Sequence, residues 1–280
     1  MSLWILLLFT LAGLAFMTHP SLRYGKCRRW RGQCFAHRGL HDVSAGIVEN
    51  TIPAFVAARN AGFGMELDVC FSGDRQLVVF HDSDLRRLAG DPRRVKDMRL
   101  EELRAVRLLG LEEARIPTFQ EVLKAVDGQA PLLVELKSGP ENGKLCRAVA
   151  ALLKDYPGEY IVESFNPLIV AWFRLHAPWV VRGQLVGPLQ SYRPTVNGIA
   201  GFCMAGLLTN LLSRPDFVAY DANARRFFSP HFQRFMFRTP MAAWTVTDPD
   251  LAALIEKRGE MCIFEGRGRP AKAITKTMQS

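Results

Sequence analysis

The sequence predicts a parallel α/β protein, a (β/α)8 (TIM) barrel with short insertions and an apolar helix ahead of it. Three observations predict this. From Cys34 onward, short apolar runs alternate with helix-like stretches. The runs are apolar at successive positions, as strands covered on both faces are. About eight such units fit a chain of 280 residues, a usual length for one barrel.

The candidate strands are 34–37 (CFAH), 65–71 (MELDVCF), 77–81 (LVVFH), 131–137 (PLLVELK), 160–165 (YIVESF), 180–186 (VVRGQLV), 216–221 (DFVAYD), 242–247 (AAWTVT) and 261–265 (MCIFE). That is nine runs for eight places. Only five residues separate 65–71 from 77–81, too few for a parallel crossover, so one of these two runs is expected as a hairpin arm or bent extension. Among the helices, residues 50–64 offer Asn50 as the candidate N-cap, Pro53 in the first turn and Gly62 as the stop. Thr118 with Glu121 three residues later forms a capping box for the next. Residues 88–116 carry Arg93, Arg94, Glu101, Glu102, Glu112 and Glu113 and read as a solvated excursion. Residues 196–212 carry no charge, which suits either a buried helix or one that touches lipid.

The N-terminus stands apart. Residues 3–17 are free of charge, and Arg23, Lys26, Arg28, Arg29 and Arg31 follow. A spanning helix takes about 20 apolar residues, with about 17 as a lower limit, so the run is borderline. A cleaved signal peptide carries its cations before the apolar run, and here they come after it. The expectation is therefore a retained single-helix membrane anchor (1–19), a basic linker (20–33), a barrel domain (34–270) held on the cytoplasmic side, and a basic tail (271–280). The six cysteines form no CxxC or Cys/His pattern, which argues against structural zinc and for reduced thiols. The net charge of +9 suits an anionic partner: an acidic membrane surface or a phosphate-bearing substrate. Nothing in the chain has the pattern of a helix-turn-helix, zinc finger or RNA-recognition motif, so nucleic acid is not expected.

Chemistry concentrates at strand C-termini, the face that carries active sites in barrels. Glu66 and Asp68 are two apart on a strand and point the same way; Glu135 and Lys137 repeat the spacing. Each charged pair interrupts an apolar run, and carboxylates buried there are costly unless a cation neutralises them. Three converging carboxylates suit a hard divalent cation, Mg²⁺ or Ca²⁺. His37 and His81 end two further runs.

The motifs AHRG (36–39), ENT (49–51), ELD (66–68), VVFHD (78–82), VELK (134–137), ESFNP (163–167) and AWTV (243–246), in this order, resemble the glycerophosphodiester phosphodiesterase family over residues 35–264. The resemblance implies a (β/α)8 barrel with a divalent metal that cleaves a phosphodiester next to glycerol. It implies Glu66, Asp68 and Glu135 as metal ligands, His37 and His81 as catalytic histidines, and Arg38 and Lys137 as phosphate-holding residues. Glu49, Asn50 and Trp244 are implied as neighbours of the site. Val48, Thr247 and Glu265 depart from the family's usual Pro, Asn and Asp, and none falls on a metal or histidine position. The implied substrates are glycerophosphodiesters or, in a lipid-directed alternative, lysophospholipids or glycerol-headed phospholipids; an inactive membrane-tethered binding barrel is the reading from another class. The oligomeric state is not encoded in any of these motifs.

Overall fold

Residues 3–192, 196–224 and 228–270 are described in a computed structural model of the chain. Strands run β1 (Cys34–Ala36), β2 (Gly64–Phe71), β3 (Leu77–Val79), β4 (Asp84–Leu85), β5 (Asp91–Arg94), β6 (Leu132–Leu136), β7 (Tyr160–Ser164), β8 (Arg182–Val186), β9 (Phe217–Asp221), β10 (Met241–Val246) and β11 (Met261–Phe264). Helices run α1 (Leu3–Thr18), α2 (Ile52–Asn60), α3 (Arg86–Ala89), α4 (Leu100–Ala105), α5 (Phe119–Val126), α6 (Asn142–Lys154), α7 (Pro167–His176), α8 (Gly198–Ala205), α9 (Asn210–Ser213), α10 (Phe228–Phe237) and α11 (Pro249–Arg258).

The sheet order β1-β11-β10-β9-β8-β7-β6-β2 closes on itself, because β1 pairs in parallel with both β11 and β2. The surplus run is β3, which lies antiparallel on the end of β2 with Val69 opposite Val79. It is the hairpin arm that the short 72–76 connection demands. Inside the barrel Phe35, Leu133, Ile161, Phe217 and Ile263 form one buried cluster. At Gly183 an added Cβ would collide with the Phe217 ring, so the small residue makes room for the large one in the same layer. Residues 20–33 do more than link: Cys27 and Trp30 are buried in this cluster, and Cys27 Sγ donates to the Asp216 carbonyl just before β9, at the N-terminal end of the strands.

Three expectations are corrected by the fold. First, the cap of α2 is Thr51; Asn50 takes a left-handed backbone (φ 55°) and turns its side chain into the barrel. Second, residues 88–116 are not merely a solvated excursion. Leu88, Val95, Met98, Leu103, Leu108 and Ile116 are buried with Val78 and Phe80 in a small core of their own, their spacing too irregular to show as one helical period.

The third correction concerns the anchor. α1 has 16 residues, about 24 Å at 1.5 Å per residue, against about 30 Å of bilayer hydrocarbon. Its last turn belongs to the protein: the Thr18 carbonyl accepts from Asn210 Nδ2 (2.9 Å) and Gln233 Nε2 (2.8 Å), and Arg214 donates to the carbonyls of Phe16 and His19. Among the described residues no helix is long and apolar enough to cross a membrane, so the single-helix transmembrane anchor, and the cytoplasmic placement derived from it, do not stand. The 271–280 tail lies outside the described residues.

Candidate active site

The strand C-termini bring the carboxylates together. Barrel register sets Asp68 of β2 beside Glu135 of β6, and Glu66 is two residues back on the same face of β2. All three are buried, and one oxygen from each lies within 4.8 Å of the others. Three buried carboxylate oxygens at that spacing are a donor set suited to Mg²⁺ or Ca²⁺. The electrostatics agree: burial, with Asp68 and Glu135 nearby, pushes the Glu66 carboxyl well above its ordinary range, and burial pushes Glu135 up to about 7. That is the signature of negative charge the protein's own cations only partly balance. At Asp68 burial pulls upward too, but Lys137, His81 and Arg38 overcome it and hold this carboxyl low.

The cations are placed by the backbone. Lys137 Nζ stands 2.7 Å from Asp68 Oδ1 and 2.8 Å from Glu135 Oε1. Arg38 takes a positive φ of 54°, a conformation costly for a side chain with a Cβ and retained where surrounding contacts enforce it. The enforcing contacts are visible: its N–H donates to Glu66 Oε2 (2.9 Å), its carbonyl accepts from Asn50 N (2.8 Å), and its guanidinium meets Glu49 (2.7 Å) and Asp68 (3.5 Å). Gly39 follows at φ 82°, and an added Cβ would lie 2.8 Å from Ala54, so the turn admits only glycine. Asn50 Nδ2 donates to Asp68 Oδ2 (2.8 Å).

Each histidine is held by a carboxylate through one ring nitrogen. His37 Nδ1 bonds Glu265 Oε2 at 2.7 Å, and His81 Nδ1 bonds Asp82 Oδ1 at 2.6 Å. Nε2 is thereby left as the nitrogen able to exchange a proton at the barrel mouth. Burial and the nearby Lys137 push the His81 imidazolium downward, favouring the neutral ring. Behind them Arg87 ties Glu49 and Asp82 together at 2.7 Å each, so the partner of Arg38 and the partner of His81 share one brace. Trp244 lies on β10, edge-on to Phe165 at 5.5 Å between centroids. A cavity of about 600 Å³ opens beside His81 and Lys137 and carries Arg75, Lys96, Asp97 and Glu141 on its walls.

All ten residues singled out in the sequence are thus accounted for, with Trp244 set apart on the β10 side. Four others were not singled out for the site: Glu163, Asp82, Arg87 and Glu265. Glu163 is the register neighbour of Glu135 on β7; it is buried, Oε2 lacks a hydrogen-bond partner, and burial with Glu135 nearby pushes its carboxyl well up. The signal that marked Glu66 and Glu135, an acid inside an apolar strand, was present in YIVESF as well. Asp82 was legible as the residue after His81; the 228-residue separation of Glu265 from His37 was not.

Fold and site together define a (β/α)8 barrel with three buried carboxylates that could hold a cation at its mouth, and with Lys137 and Arg38 beside them. The family model for the glycerophosphoryl diester phosphodiesterase family matches residues 37–265, and the chain belongs to that family. A glycerophosphodiester phosphodiesterase of Caldanaerobacter subterraneus subsp. tengcongensis is 35% identical over 164 residues, 54% of this chain and 65% of that one. A lysophospholipase D of Mus musculus is 32% identical over 179 residues, 57% of this chain and 55% of that one. The matched segments thus span less than two-thirds of these relatives' lengths. The solved Oleispira antarctica phosphodiesterase in complex with its product sn-glycerol-3-phosphate covers 86% of this chain and 95% of its own, at TM-score 0.68 and 22% identity, a likeness of fold.

Proposed function

We propose that this chain is a metal-dependent phosphodiesterase that hydrolyses glycerophosphodiesters to glycerol 3-phosphate and an alcohol, with His37 and His81 as its acid and base. The observation that carries this reading is the juxtaposition, at one barrel mouth, of the Glu66–Asp68–Glu135 triad with Arg38, Lys137 and two carboxylate-held histidines. Glu66, Asp68 and Glu135 would hold Mg²⁺ or Ca²⁺, which supplies charge neutralisation for the phosphate oxygens when bound. Arg38 grips the diester through its planar fork, and Lys137 adds a point charge where negative charge grows at phosphorus. One histidine takes the proton of the attacking hydroxyl while the other protonates the departing oxygen. Glu265 and Asp82 fix the two rings through their Nδ1 atoms.

The test is phosphorus NMR of sn-glycero-3-phosphocholine incubated with the full chain and Mg²⁺, Ca²⁺ or chelator. Appearance of glycerol 3-phosphate with a cation, and its suppression by chelator, is the expected result. Absence of product with either cation, from protein that remains folded, overturns the reading and leaves a binding barrel.

A second reading, a lipid-directed phosphodiesterase of the lysophospholipase D or glycerophospholipid type working at an acidic membrane surface, is favoured by exposed apolar side chains on α8 and α10. Ile199, Phe202, Phe228 and Phe235 are 81%, 62%, 72% and 85% exposed. Exposed apolar groups of this size in one region mark interaction surfaces.

A further inference from the structure

We propose that Glu163 is a fourth carboxylate of the cation site and makes that site prefer Ca²⁺ over Mg²⁺. The inference rests on the reading of Glu66, Asp68 and Glu135 as cation ligands, and adds to it one residue and a selectivity. Glu163 is not among the three acids whose oxygens lie within 4.8 Å of one another; it is the next acid around the ring of strands. Parallel register sets Glu163 of β7 beside Glu135 of β6, and Glu135 beside Asp68 of β2. Residues in register share a face, so the three form a row on the inside of the barrel. Leu133 and Ile161, two residues earlier on β6 and β7, mark that face, since both belong to the buried interior cluster. Phe165, which follows Glu163, packs on the same cluster.

The protein itself gives this acid no counter-charge. Glu163 is 2% exposed, and its Oε2 has no hydrogen-bond partner. Lys137 is committed to Asp68 at 2.7 Å and to Glu135 at 2.8 Å, and Arg38 to Glu49 at 2.7 Å and to Asp68 at 3.5 Å. Among the described residues, neither cation makes an ion pair with Glu163. Its neighbour in register on the other side is Gly183, and the space a side chain would take there is filled by the Phe217 ring. Glu163 is thus set between an aromatic ring and a second carboxylate. A carboxylate buried in that way is costly, and a Gln or Leu of similar size would be cheaper. What offsets the cost is positive charge that comes from solution.

A fourth acid also discriminates between ions. Ca²⁺ takes about six to eight oxygen ligands in a flexible shell, and its affinity is tuned by how many charged ligands face it. Mg²⁺ gives up water reluctantly and is usually held by only about one or two carboxylates. A buried row of acids therefore suits Ca²⁺, the larger ion.

The experiment is calorimetric titration of the full chain, freed of metal by chelator, with CaCl₂ and with MgCl₂. Wild type, Glu163→Gln and Glu135→Gln are compared, and no turnover is required. Wild type should bind Ca²⁺ at least about tenfold more tightly than Mg²⁺. Glu163→Gln should weaken Ca²⁺ binding by at least about tenfold and Mg²⁺ binding by less than about threefold. Glu135→Gln should lose both ions. A wild type that binds Mg²⁺ as tightly as Ca²⁺ overturns the inference, whether or not the variants fold. So does a folded Glu163→Gln that keeps both wild-type dissociation constants; a lower melting temperature without cation would then assign Glu163 to structure alone. Loss of binding in Glu135→Gln beside an unchanged Glu163→Gln removes this inference and leaves the triad standing. Wild-type affinities in Glu135→Gln would remove the triad, and with it both readings.

Discussion

Glu49 shows how much a single carboxylate does at this mouth. Against burial, which works the other way, hydrogen bonds and charge from Arg87 and Arg38 bring it down to about 2 from the ordinary 4.5. A depressed folded-state value means that the stabilisation is present above the ordinary range and is lost as pH falls through it toward 2. For a side chain only 12% exposed the shift corresponds to about 3 kcal/mol. Urea unfolding of wild type and Glu49→Gln should therefore give free energies that differ by up to about that amount at pH 7 and converge as pH falls to about 2. A gap that does not change with pH would show the arginines to be indifferent to this charge. At the histidines the expectation is kinetic. His81→Ala, measured with sn-glycero-3-phosphocholine, should lose about 10²–10⁴-fold in kcat, the usual worth of a positioned acid or base, with melting temperature within a few degrees of wild type. A variant that keeps a tenth of the rate would assign His81 to structure alone.

At the scale of elements, the parts legible in the sequence are those whose cause is local. The barrel strands announce themselves as short apolar runs because both faces are covered, and the capping box at Thr118–Glu121 forms as read, with Glu121 N donating to Thr118 Oγ1 and Thr118 N to Glu121 Oε2. The ELD and VELK pairs were legible because charge inside such a run needs a reason. What was not legible depends on three-dimensional closure. Glu265 reaches His37 only because β11 pairs with β1, and Glu163 joins the carboxylates only through the β6–β7 register. Residues 88–116 misled because their charges are conspicuous while their buried side chains follow no single period. That segment supplies its own test: Leu103 is fully buried in its small core, so Leu103→Ala should cost about 2–5 kcal/mol in chemical denaturation. A solvated excursion would lose less than about 0.5 kcal/mol.

Taken whole, the molecule packs an apolar barrel floor beneath a mouth crowded with charge, and its stability depends on how that charge is balanced. Glu66, Glu135 and Glu163 are all pushed upward by burial and by acidic neighbours, so a cation held between them would relieve that cost. Binding to the folded state alone adds about 2.7 kcal/mol at a hundredfold excess over Kd. Mg²⁺ or Ca²⁺ should accordingly raise the wild-type melting temperature by several degrees and leave Glu135→Gln unmoved. Equal shifts in both proteins would place the cation elsewhere. The apolar helix α1 is docked at its C-terminal turn and exposed along the rest. The central claim, however, is that the Glu66–Asp68–Glu135 triad carries the reaction. Its most direct test is the initial rate of glycerol 3-phosphate release from sn-glycero-3-phosphocholine by wild type and Glu135→Gln, each with saturating divalent cation and with chelator. The account predicts that chelated wild type and the cation-saturated variant both fall by at least about 10²-fold. A variant that keeps the wild-type rate, or a wild type indifferent to chelator, would contradict it.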